Sequence, residues 1–168
     1  MNQGRKEIAK LLASKSADIS LHTAAYIGDL QRVEKFINGG ANVDAKDREG
    51  QTALHYAAKA GQIAVAKLLI ANGADVNAGD DWTPLVEAAY CSKEMVELLL
   101  AKGADINTGK WTPLHGAVYG HNDIVELLIA KGANVNARDG FGRTPLFYAQ
   151  YQGRTKIVEL LRKHGAKE

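Results

Sequence analysis

The feature that most constrains this chain is a short apolar segment that occurs five times. Each copy begins with leucine and has an alanine three residues later, and successive leucines are separated by 33, 31, 29 and 32 residues. A self-similar period of about 30 residues indicates a repeat protein, in which one small structural unit is copied along the chain. The five segments are Leu21-His22-Thr23-Ala24-Ala25, Leu54-His55-Tyr56-Ala57-Ala58, Leu85-Val86-Glu87-Ala88-Ala89, Leu114-His115-Gly116-Ala117-Val118 and Leu146-Phe147-Tyr148-Ala149-Gln150.

The most regular unit runs from residue 47 to residue 78. It begins with the turn residues Asp47 to Gly50, and Thr52 then offers a hydroxyl that can cap a helix starting at residue 53. Leu54 and two alanines share one face of this helix, which Gly61 ends. The alanines leave room for a close neighbour.

A second helix follows in the same unit. Val65, Ala66, Leu69 and Ile70 have the spacing of an amphipathic helix, and Gly73 is the residue type expected just beyond its end. Neither helix can bury its apolar face within so short a unit. The units must therefore stack on one another.

Further regularities connect the units to a known family. All three prolines fall at one repeat position, directly before the leucine, and Thr112-Pro113-Leu114-His115 forms a complete motif there. The chain resembles the ankyrin repeat family, whose unit of about 33 residues carries a Thr-Pro-Leu-His motif. The resemblance covers residues 19–168. It implies an all-α ankyrin repeat solenoid, in which helix-turn-helix units stack and are joined by β-hairpin loops.

The same comparison of copies predicts the division of the chain. Residues 1–18 match the second half of a unit and form an N-terminal capping helix or a partial ankyrin repeat; a start inside a longer protein is the alternative. The polar residues Arg162 and Lys163 replace apolar ones in the last unit and predict a C-terminal cap. The five predicted repeats are 19–46, 47–78, 79–108 with a shortened hairpin, 109–137 with a shortened hairpin, and 138–168 with the polar cap.

Composition and charge narrow the function classes. The chain has 21 Lys and Arg against 19 Asp and Glu, interspersed, so we expect neither nucleic-acid nor membrane binding. The single cysteine, Cys91, excludes an internal disulfide, and no stretch is long and apolar enough to span a membrane. These features predict a cytoplasmic protein, and we expect a monomer.

The recurring histidines His22, His55 and His115 invite a metal or catalytic interpretation. Packed helices stand about 10 Å apart, which is too far for ligands of one metal ion with bonds of about 2 Å. We therefore expect each imidazole to bond the turn backbone or the threonine hydroxyl of its own unit. Cys91 has no activating neighbour in sequence, and no glycine-rich phosphate loop is present. The chain is predicted to be no enzyme and to need no cofactor or metal.

Aromatic residues are the most informative candidates for function. At one position near the exposed end of the first helix, four of five units carry tyrosine, and both tryptophans precede a Thr-Pro pair. Tyrosine and tryptophan are enriched at binding hot spots. A ladder of them along a concave face predicts a groove for a partner; the alternative is that they only cover the stack beneath them. The residues at the tyrosine position are Tyr26, Lys59, Tyr90, Tyr119 and Tyr151.

The family resemblance implies that partners bind at the hairpin tips and the exposed face of the first helices. We therefore predict a non-enzymatic protein–protein interaction module. The alternatives are a regulatory fragment of a larger enzyme or signalling protein and an engineered binder on this scaffold. The candidate hairpin residues are Arg48, Glu49, Gln51, Asp80, Asp81, Trp82, Lys110, Trp111, Phe141 and Arg143. The candidate helix-face residues are Tyr26, Tyr56, Lys59, Tyr90, Tyr119, Tyr148 and Tyr151.

Overall fold

The protein is described here by a computed structural model that covers residues 19–167. Within that range it contains ten helices, arranged as five pairs, and no β-strand. The all-α solenoid expected from the sequence is confirmed. The predicted capping helix or partial repeat at residues 1–18 lies outside the described residues. The helices are α1 Leu21–Ile27, α2 Leu30–Asn38, α3 Ala53–Ala60, α4 Ile63–Ala71, α5 Pro84–Ala89, α6 Lys93–Ala101, α7 Pro113–Ala117, α8 Asn122–Ala130, α9 Pro145–Tyr151 and α10 Thr155–Lys163.

From the second pair onward, the first helix begins after a threonine in extended conformation, whereas α1 begins after Ser20. Thr52 precedes α3, which starts at residue 53 as predicted, and Thr83 precedes α5, where its hydroxyl accepts the Val86 N–H at 3.4 Å. Proline follows threonine in the later pairs, where its missing N–H removes no helical hydrogen bond. Gly61 ends α3 with φ of 67°, a left-handed conformation that favours glycine.

The helices stack in two rows. The first helices α1, α3, α5, α7 and α9 each pack on the next in one row, and the second helices α2, α4, α6, α8 and α10 form the other. Each pair is also packed within itself. Among residues 19–167, each helix pair therefore packs mainly on its neighbours along the chain, as expected for a solenoid.

The core lies between the two rows and continues from pair to pair. The leucine of the repeated segment is nearly inaccessible in every first helix, and the alanine three residues later is fully buried. Among the second helices, α4, α6 and α8 each contribute three buried residues and α10 contributes two. These core residues are Leu21, Leu54, Leu85, Leu114 and Leu146 from the first helices, and Val65, Ala66, Leu69, Met95, Val96, Leu99, Ile124, Val125, Leu128, Ile157 and Leu161 from the second.

A ladder of side-chain amides joins consecutive pairs after the second helices. Asn77 Oδ1 accepts the Asp105 N–H at 2.8 Å, and its Nδ2 donates to the Gly103 carbonyl at 3.3 Å. Asn107 and Asn136 repeat this geometry one and two units further along. Each asparagine thus satisfies backbone groups of the following unit, which the helices themselves leave open. We call these three residues the asparagine ladder.

The ladder gives a first prediction. Replacing Asn107 by alanine removes the bonds to the Asn134 N–H and the Gly132 carbonyl, and we expect the free energy of unfolding to fall by about 1–2 kcal/mol. Asn107→Asp keeps an acceptor but loses the donor, so about half of that loss is expected. Chemical denaturation followed by circular dichroism measures both.

The control for the ladder is Asn122→Ala, which removes an exposed asparagine at the start of α8. Equal loss of stability in the Asn107 and Asn122 variants would contradict a linking function for the ladder.

Candidate partner-binding face

The predicted partner-binding residues fall into three groups along the stack. The N-terminal group surrounds α3 and its hairpin, the central group spans the shortened hairpins and the helices α5 and α7, and the C-terminal group lies around α9. The exposed members are Arg48, Glu49, Lys59, Asp80, Asp81, Trp82, Lys110, Phe141, Arg143 and Tyr151. The half-buried members are Tyr26, Gln51, Tyr56, Tyr90, Trp111 and Tyr119, and Tyr148 is buried.

In the N-terminal group the aromatic residues meet edge to face. The Tyr26 and Tyr56 rings have centroids 6.3 Å apart, and the His22 ring contacts Tyr56 at 5.7 Å. Such edge-to-face pairs are a preferred aromatic geometry. We call the residues at the repeated tyrosine position the tyrosine row. This row is interrupted in α3, where the residue that follows Tyr26 in the row is Lys59.

Five aromatic side chains meet in the central group, and we call Trp82, Tyr90, Trp111, Tyr119 and Tyr148 the central cluster. The indoles of Trp82 and Trp111 stack with centroids 6.4 Å apart and planes 19° apart. Tyr90 stacks on Trp82 at 5.9 Å and contacts Tyr119 at 5.7 Å, while Tyr148 meets Trp111 edge to face at 5.0 Å. The cluster therefore connects three helix pairs.

The central cluster is partly exposed and partly supported by the core. Trp82 is 39% exposed, whereas Tyr148 is 9% exposed and belongs to the core. Trp111 and Tyr119 pack against the core from outside. Burial also raises the pKa of Tyr90 above its ordinary value. Tyr148, Trp111 and Tyr119 thus cover the stack, which the sequence left open as the alternative to a partner groove. Trp82 presents its ring to solvent.

A glycine in α7 makes room for this packing. A Cβ atom on Gly116 would lie 3.0 Å from the Tyr90 ring, closer than a side chain normally approaches. The position of Gly116 is occupied by Tyr56 in α3 and Tyr148 in α9. Loss of a side chain here lets the tyrosine of the preceding unit lie over α7.

In the full-length hairpins an aspartate connects the loop to the first helix. Asp47 Oδ1 accepts the N–H groups of Glu49 and Gln51 at 2.8 and 2.9 Å, and its Oδ2 accepts the Tyr56 hydroxyl at 2.7 Å. Burial alone would raise the pKa of Asp47, but these bonds lower it below its ordinary value. The bond to Asp47 raises the pKa of Tyr56 to about 12. The Tyr56 hydroxyl is thus used inside the protein.

The same arrangement recurs at the C-terminal end. Asp139 accepts the N–H groups of Phe141 and Arg143 at 2.8 and 2.9 Å and the Tyr148 hydroxyl at 2.5 Å. Burial favours a higher pKa for Asp139, and the hydrogen bonds reverse that effect, with the Tyr148 hydroxyl the largest contributor. Aspartate and tyrosine therefore form a recurrent clasp between hairpin and helix.

In the first shortened hairpin the hydrogen-bond donor is in the loop and the acid is on the helix, the reverse of the clasp. Trp82 in the loop donates its Nε1–H to Glu87 Oε1 at 2.8 Å, and Glu87 occupies the helix position that carries tyrosine in the clasp. The same oxygen lies 3.3 Å from Gln51 Nε2 and 3.4 Å from Lys59 Nζ. The Glu87 side chain is 5% exposed, so the carboxylate is buried among three donors.

Glu87 is the site residue that sequence reasoning missed. Lys59 breaks the row of tyrosines, and its ammonium forms an ion pair with Glu87 across the boundary between units. Aligning the repeat copies shows an acid at a position held by tyrosine in two other units. That exception, together with Lys59 among the tyrosines, could have indicated an ion pair between the two units.

The second shortened hairpin has no such acid. Gly116 stands where Glu87 stands one unit earlier, and Trp111 Nε1 is buried without a hydrogen bond within the described part of the chain. The Trp111 N–H lies near the Tyr90 hydroxyl and lowers the pKa of Tyr90, although burial has the larger, opposite effect. The two groups do not form a hydrogen bond. Trp111 is therefore held by ring contacts.

Tight turns bring the two shortened hairpins together. Gly109 has φ of 82°, and a Cβ on it would lie 3.0 Å from the Asp80 carbonyl oxygen. Asp81 Oδ1 accepts the Lys110 N–H at 2.9 Å. Asp81, one of the two acids predicted at this hairpin tip, thus holds the next hairpin. Both Asp80 and Asp81 are exposed.

The expected structural function is confirmed for all three histidines, and His22 Nε2 lies 2.8 Å from the Ala45 carbonyl oxygen of its own unit. His55 Nδ1 accepts the Thr52 N–H at 3.1 Å and lies 2.9 Å from the Thr52 hydroxyl, so the ring proton is on Nε2, which donates to the Trp82 carbonyl at 2.9 Å. His115 makes the equivalent bonds to Thr112 and to the Arg143 carbonyl at 3.2 Å. The threonine belongs to the same unit, as predicted, but the backbone acceptor belongs to the next one.

The C-terminal group consists of exposed aromatic rings around an arginine. Phe141 is 80% exposed and Tyr151 is 79% exposed. The Arg143 guanidinium lies over the Phe141 ring at 5.3 Å from its centroid. Tyr151 does not continue the central cluster, because its ring stacks on Phe147 of its own helix at 6.4 Å.

Residues 19–167 contain neither a cluster of metal ligands nor a helix that could span a membrane. No group of three His, Cys, Asp or Glu side chains there is placed to hold a metal ion. In the same range every helix is too short or too polar to cross a membrane.

Comparison with known proteins agrees with the fold. A family model described as "Ankyrin repeats (3 copies)" matches the chain over residues 21–110, 76–139 and 107–168. No curated protein matches the chain.

The buried carboxylate gives a second prediction. Glu87→Ala leaves the Trp82, Gln51 and Lys59 donors without their acceptor, and we expect the free energy of unfolding to fall by about 1–3 kcal/mol. Both tryptophans of the chain lie in the central cluster, so their fluorescence should shift toward longer wavelength as Trp82 loosens. Denaturation followed by this fluorescence measures both effects.

A matched variant for this experiment is Glu97→Ala, which removes an exposed glutamate from α6. Equal stability and identical emission spectra of the two variants would show that Glu87 does not hold Trp82, Gln51 and Lys59 in place.

The histidines give a third prediction, on pH. Burial lowers the pKa of His55 and of His115 below the ordinary 6.5, against the raising effect of the carbonyls they bond. The unfolded chain then binds protons more readily, so this contribution to stability is complete above pH 6.5 and is lost as the pH falls toward the folded-state pKa. We expect the free energy of unfolding to decrease between about pH 7 and pH 5.

The double variant His55→Gln and His115→Gln should flatten this dependence, while His164→Gln, at the exposed end of α10, serves as the control. A pH dependence that is unchanged in the double variant would rule out the two buried imidazoles as its cause.

Proposed function

Because the chain belongs to the ankyrin repeat family, whose members are generally protein–protein interaction modules, we propose that it binds a segment of a protein partner. The segment lies along the concave face of the first helices and against the hairpin tips. The observation that carries this proposal is the central cluster, in which stacked aromatic rings from three helix pairs meet at the surface. No catalytic step is part of the proposal, and members of the family are typically non-enzymatic.

The central cluster has the physical properties of a binding hot spot. Large aromatic rings supply contact area with few rotatable bonds, and rings that are already packed lose little freedom when a partner arrives. Trp82 combines an exposed ring with an N–H that is fixed on Glu87 at 2.8 Å. A partner that covers this ring gains apolar burial without having to order the side chain first.

Charged residues surround the cluster at the hairpin tips. Arg48 and Glu49 are exposed on one side, and Asp80 and Lys110 are exposed at the shortened hairpins. Both signs are present, so the tips suit a partner segment that carries complementary charges in a defined order. Such rim charges affect the association rate and the register more than the affinity.

The proposal also takes the protein as a cytoplasmic monomer. Cys91 is exposed, and a reducing compartment keeps an exposed thiol from forming intermolecular disulfides. Sedimentation velocity over a range of concentrations tests the monomer, and imaging of a tagged chain tests the location.

The experiment for the main proposal is affinity capture from a cell lysate. The double variant Trp82→Ala and Tyr119→Ala removes one exposed and one half-buried ring of the central cluster. We expect its retention of a captured partner to fall about tenfold or more, since loss of a hot-spot side chain corresponds to about 2 kcal/mol. Quantitative mass spectrometry of the captured proteins measures the difference.

The control is the double variant Leu30→Ala and Phe36→Ala on α2. Leu30 is 39% exposed, the same as Trp82, and Phe36 is half-buried like Tyr119. Both proteins are first compared by circular dichroism and thermal unfolding. Equal retention by the two double variants would refute binding at the central cluster.

A further inference from the structure

The fifth helix pair exposes a surface that the inner pairs cover. In α3, α5 and α7 the residue after the repeated leucine is buried by the next pair. His55 is 1% exposed there, and both Val86 and His115 are 0% exposed. In α9 that residue is Phe147, and its ring is 41% exposed. Gln150, also exposed, stands where the inner pairs have a fully buried alanine or valine. An aromatic ring thus remains at this end of the described stack.

An arginine is held between two rings beside this surface. The Arg143 guanidinium lies 5.1 Å from the centroid of Phe147 and 5.3 Å from that of Phe141, and Tyr151 stacks on Phe147 with planes 7° apart. We call these four residues the end patch. Stacking fixes the plane of the guanidinium and leaves its edge for hydrogen bonds. The Arg143 guanidinium also acts on the Tyr148 hydroxyl and lowers the tyrosine pKa, against the larger effect of burial.

A small cavity adjoins the end patch. It has a volume of about 280 Å³ and is lined by Arg138, Gly142, Arg143, Thr144, Phe147 and Gln150. Ligand pockets for drug-sized molecules start at about 300 Å³, so this cavity suits one or two amino-acid side chains. Arg138 is placed at the cavity because its Nη1 donates to the Gly142 carbonyl at 2.7 Å. Two guanidinium groups therefore border a space that also has an aromatic wall.

Positive charge predominates in the last unit, unlike in the chain as a whole. Residues 138–168 contain seven Lys or Arg and three Asp or Glu, whereas the complete chain has 21 and 19. One of the three acids, Asp139, is 7% exposed and bonded to the Tyr148 hydroxyl. A positive surface with exposed rings is complementary to a ligand that is both negative and apolar.

We propose that the end patch binds a peptide segment in which an acidic side chain neighbours an aromatic or large aliphatic one. The carboxylate accepts hydrogen bonds from the guanidinium edge of Arg143 and from Arg138, and the apolar side chain packs on Phe147 and Tyr151. Planar carboxylate and planar guanidinium form the bidentate pair that lysine cannot form. This site lies on the fifth helix pair and does not depend on binding at the central cluster.

The experiment selects peptides from a displayed library of random heptapeptides on the immobilised intact protein. We expect the enriched sequences to carry Asp or Glu within two positions of Phe, Tyr, Trp, Leu or Ile. A synthetic copy of the most enriched peptide is then titrated, and replacing its acid by the corresponding amide should weaken binding about tenfold or more, the range of a hydrogen bond to a charged group. Added salt should weaken binding as well.

Protein variants locate the site. Arg143→Lys keeps the positive charge but loses the planar fork, and Phe147→Ser removes the exposed ring; each should weaken peptide binding about tenfold. Arg48→Lys, the same change at an exposed arginine of another hairpin, should leave it unchanged. Trp82→Ala should also leave it unchanged, which separates this site from the proposed function. Circular dichroism verifies that every variant is folded.

Several results would overturn the proposal. These are an absence of enriched peptides, enrichment without acidic residues, and equal binding by the intact protein and Arg143→Lys. Inorganic phosphate that binds as tightly as the peptide, with no contribution from the apolar residue, would instead identify a general anion site. Self-association that requires Arg143 would identify a second copy of the chain as the occupant.

Discussion

The structure depends on one constraint: a pair of short helices cannot bury its own apolar surface. The helices have five to nine residues, and an isolated helix of that length is unstable in water. Each pair is therefore stabilised by the pairs on either side, through the fully buried alanines such as Ala57 and Ala58 that allow close approach. Hydrogen bonds also join adjacent units, since both His55 and Asn77 bond backbone carbonyls of the next unit. These stabilising contacts therefore act between neighbouring units of the stack.

This constraint explains why changes in the hairpins are matched by changes in the helices. A full-length hairpin is held by the bond from a helix tyrosine to a loop aspartate, as in Tyr56 and Asp47. The first shortened hairpin has no aspartate at the position of Asp47, and there Trp82 donates to Glu87 on the helix instead. Among the described residues the second shortened hairpin has no such polar contact, and Trp111 is held by its ring contacts. The central cluster thus combines the tryptophans of the two shortened hairpins with tyrosines of the helix pairs.

The sequence predicted the repeating features because each arises from local chemistry. Threonine before the first helix, glycine after it and the buried leucines were all readable from one unit. The asparagine ladder and Glu87 were not predicted, since their partners lie in the next unit and depend on how units are stacked. The sequence predicted a ladder of four tyrosines interrupted at Lys59, but Tyr151 does not join the others because its ring stacks on Phe147. Side-chain direction at a repeated position depends on the neighbours, and these differ from unit to unit.

Glu87 shows how a buried charge can serve a surface. A buried ion pair adds little to stability when compared with apolar residues of the same size, because desolvation offsets the attraction. The carboxylate nevertheless fixes three donors at once, of which Lys59 is about half exposed and Trp82 presents 39% of its surface. Removing the acid would free the indole N–H and the ammonium, and the ring would lose its defined orientation. Glu87 is therefore best understood as a positioning residue, which holds an exposed tryptophan in the orientation that its neighbours Tyr90 and Trp111 require.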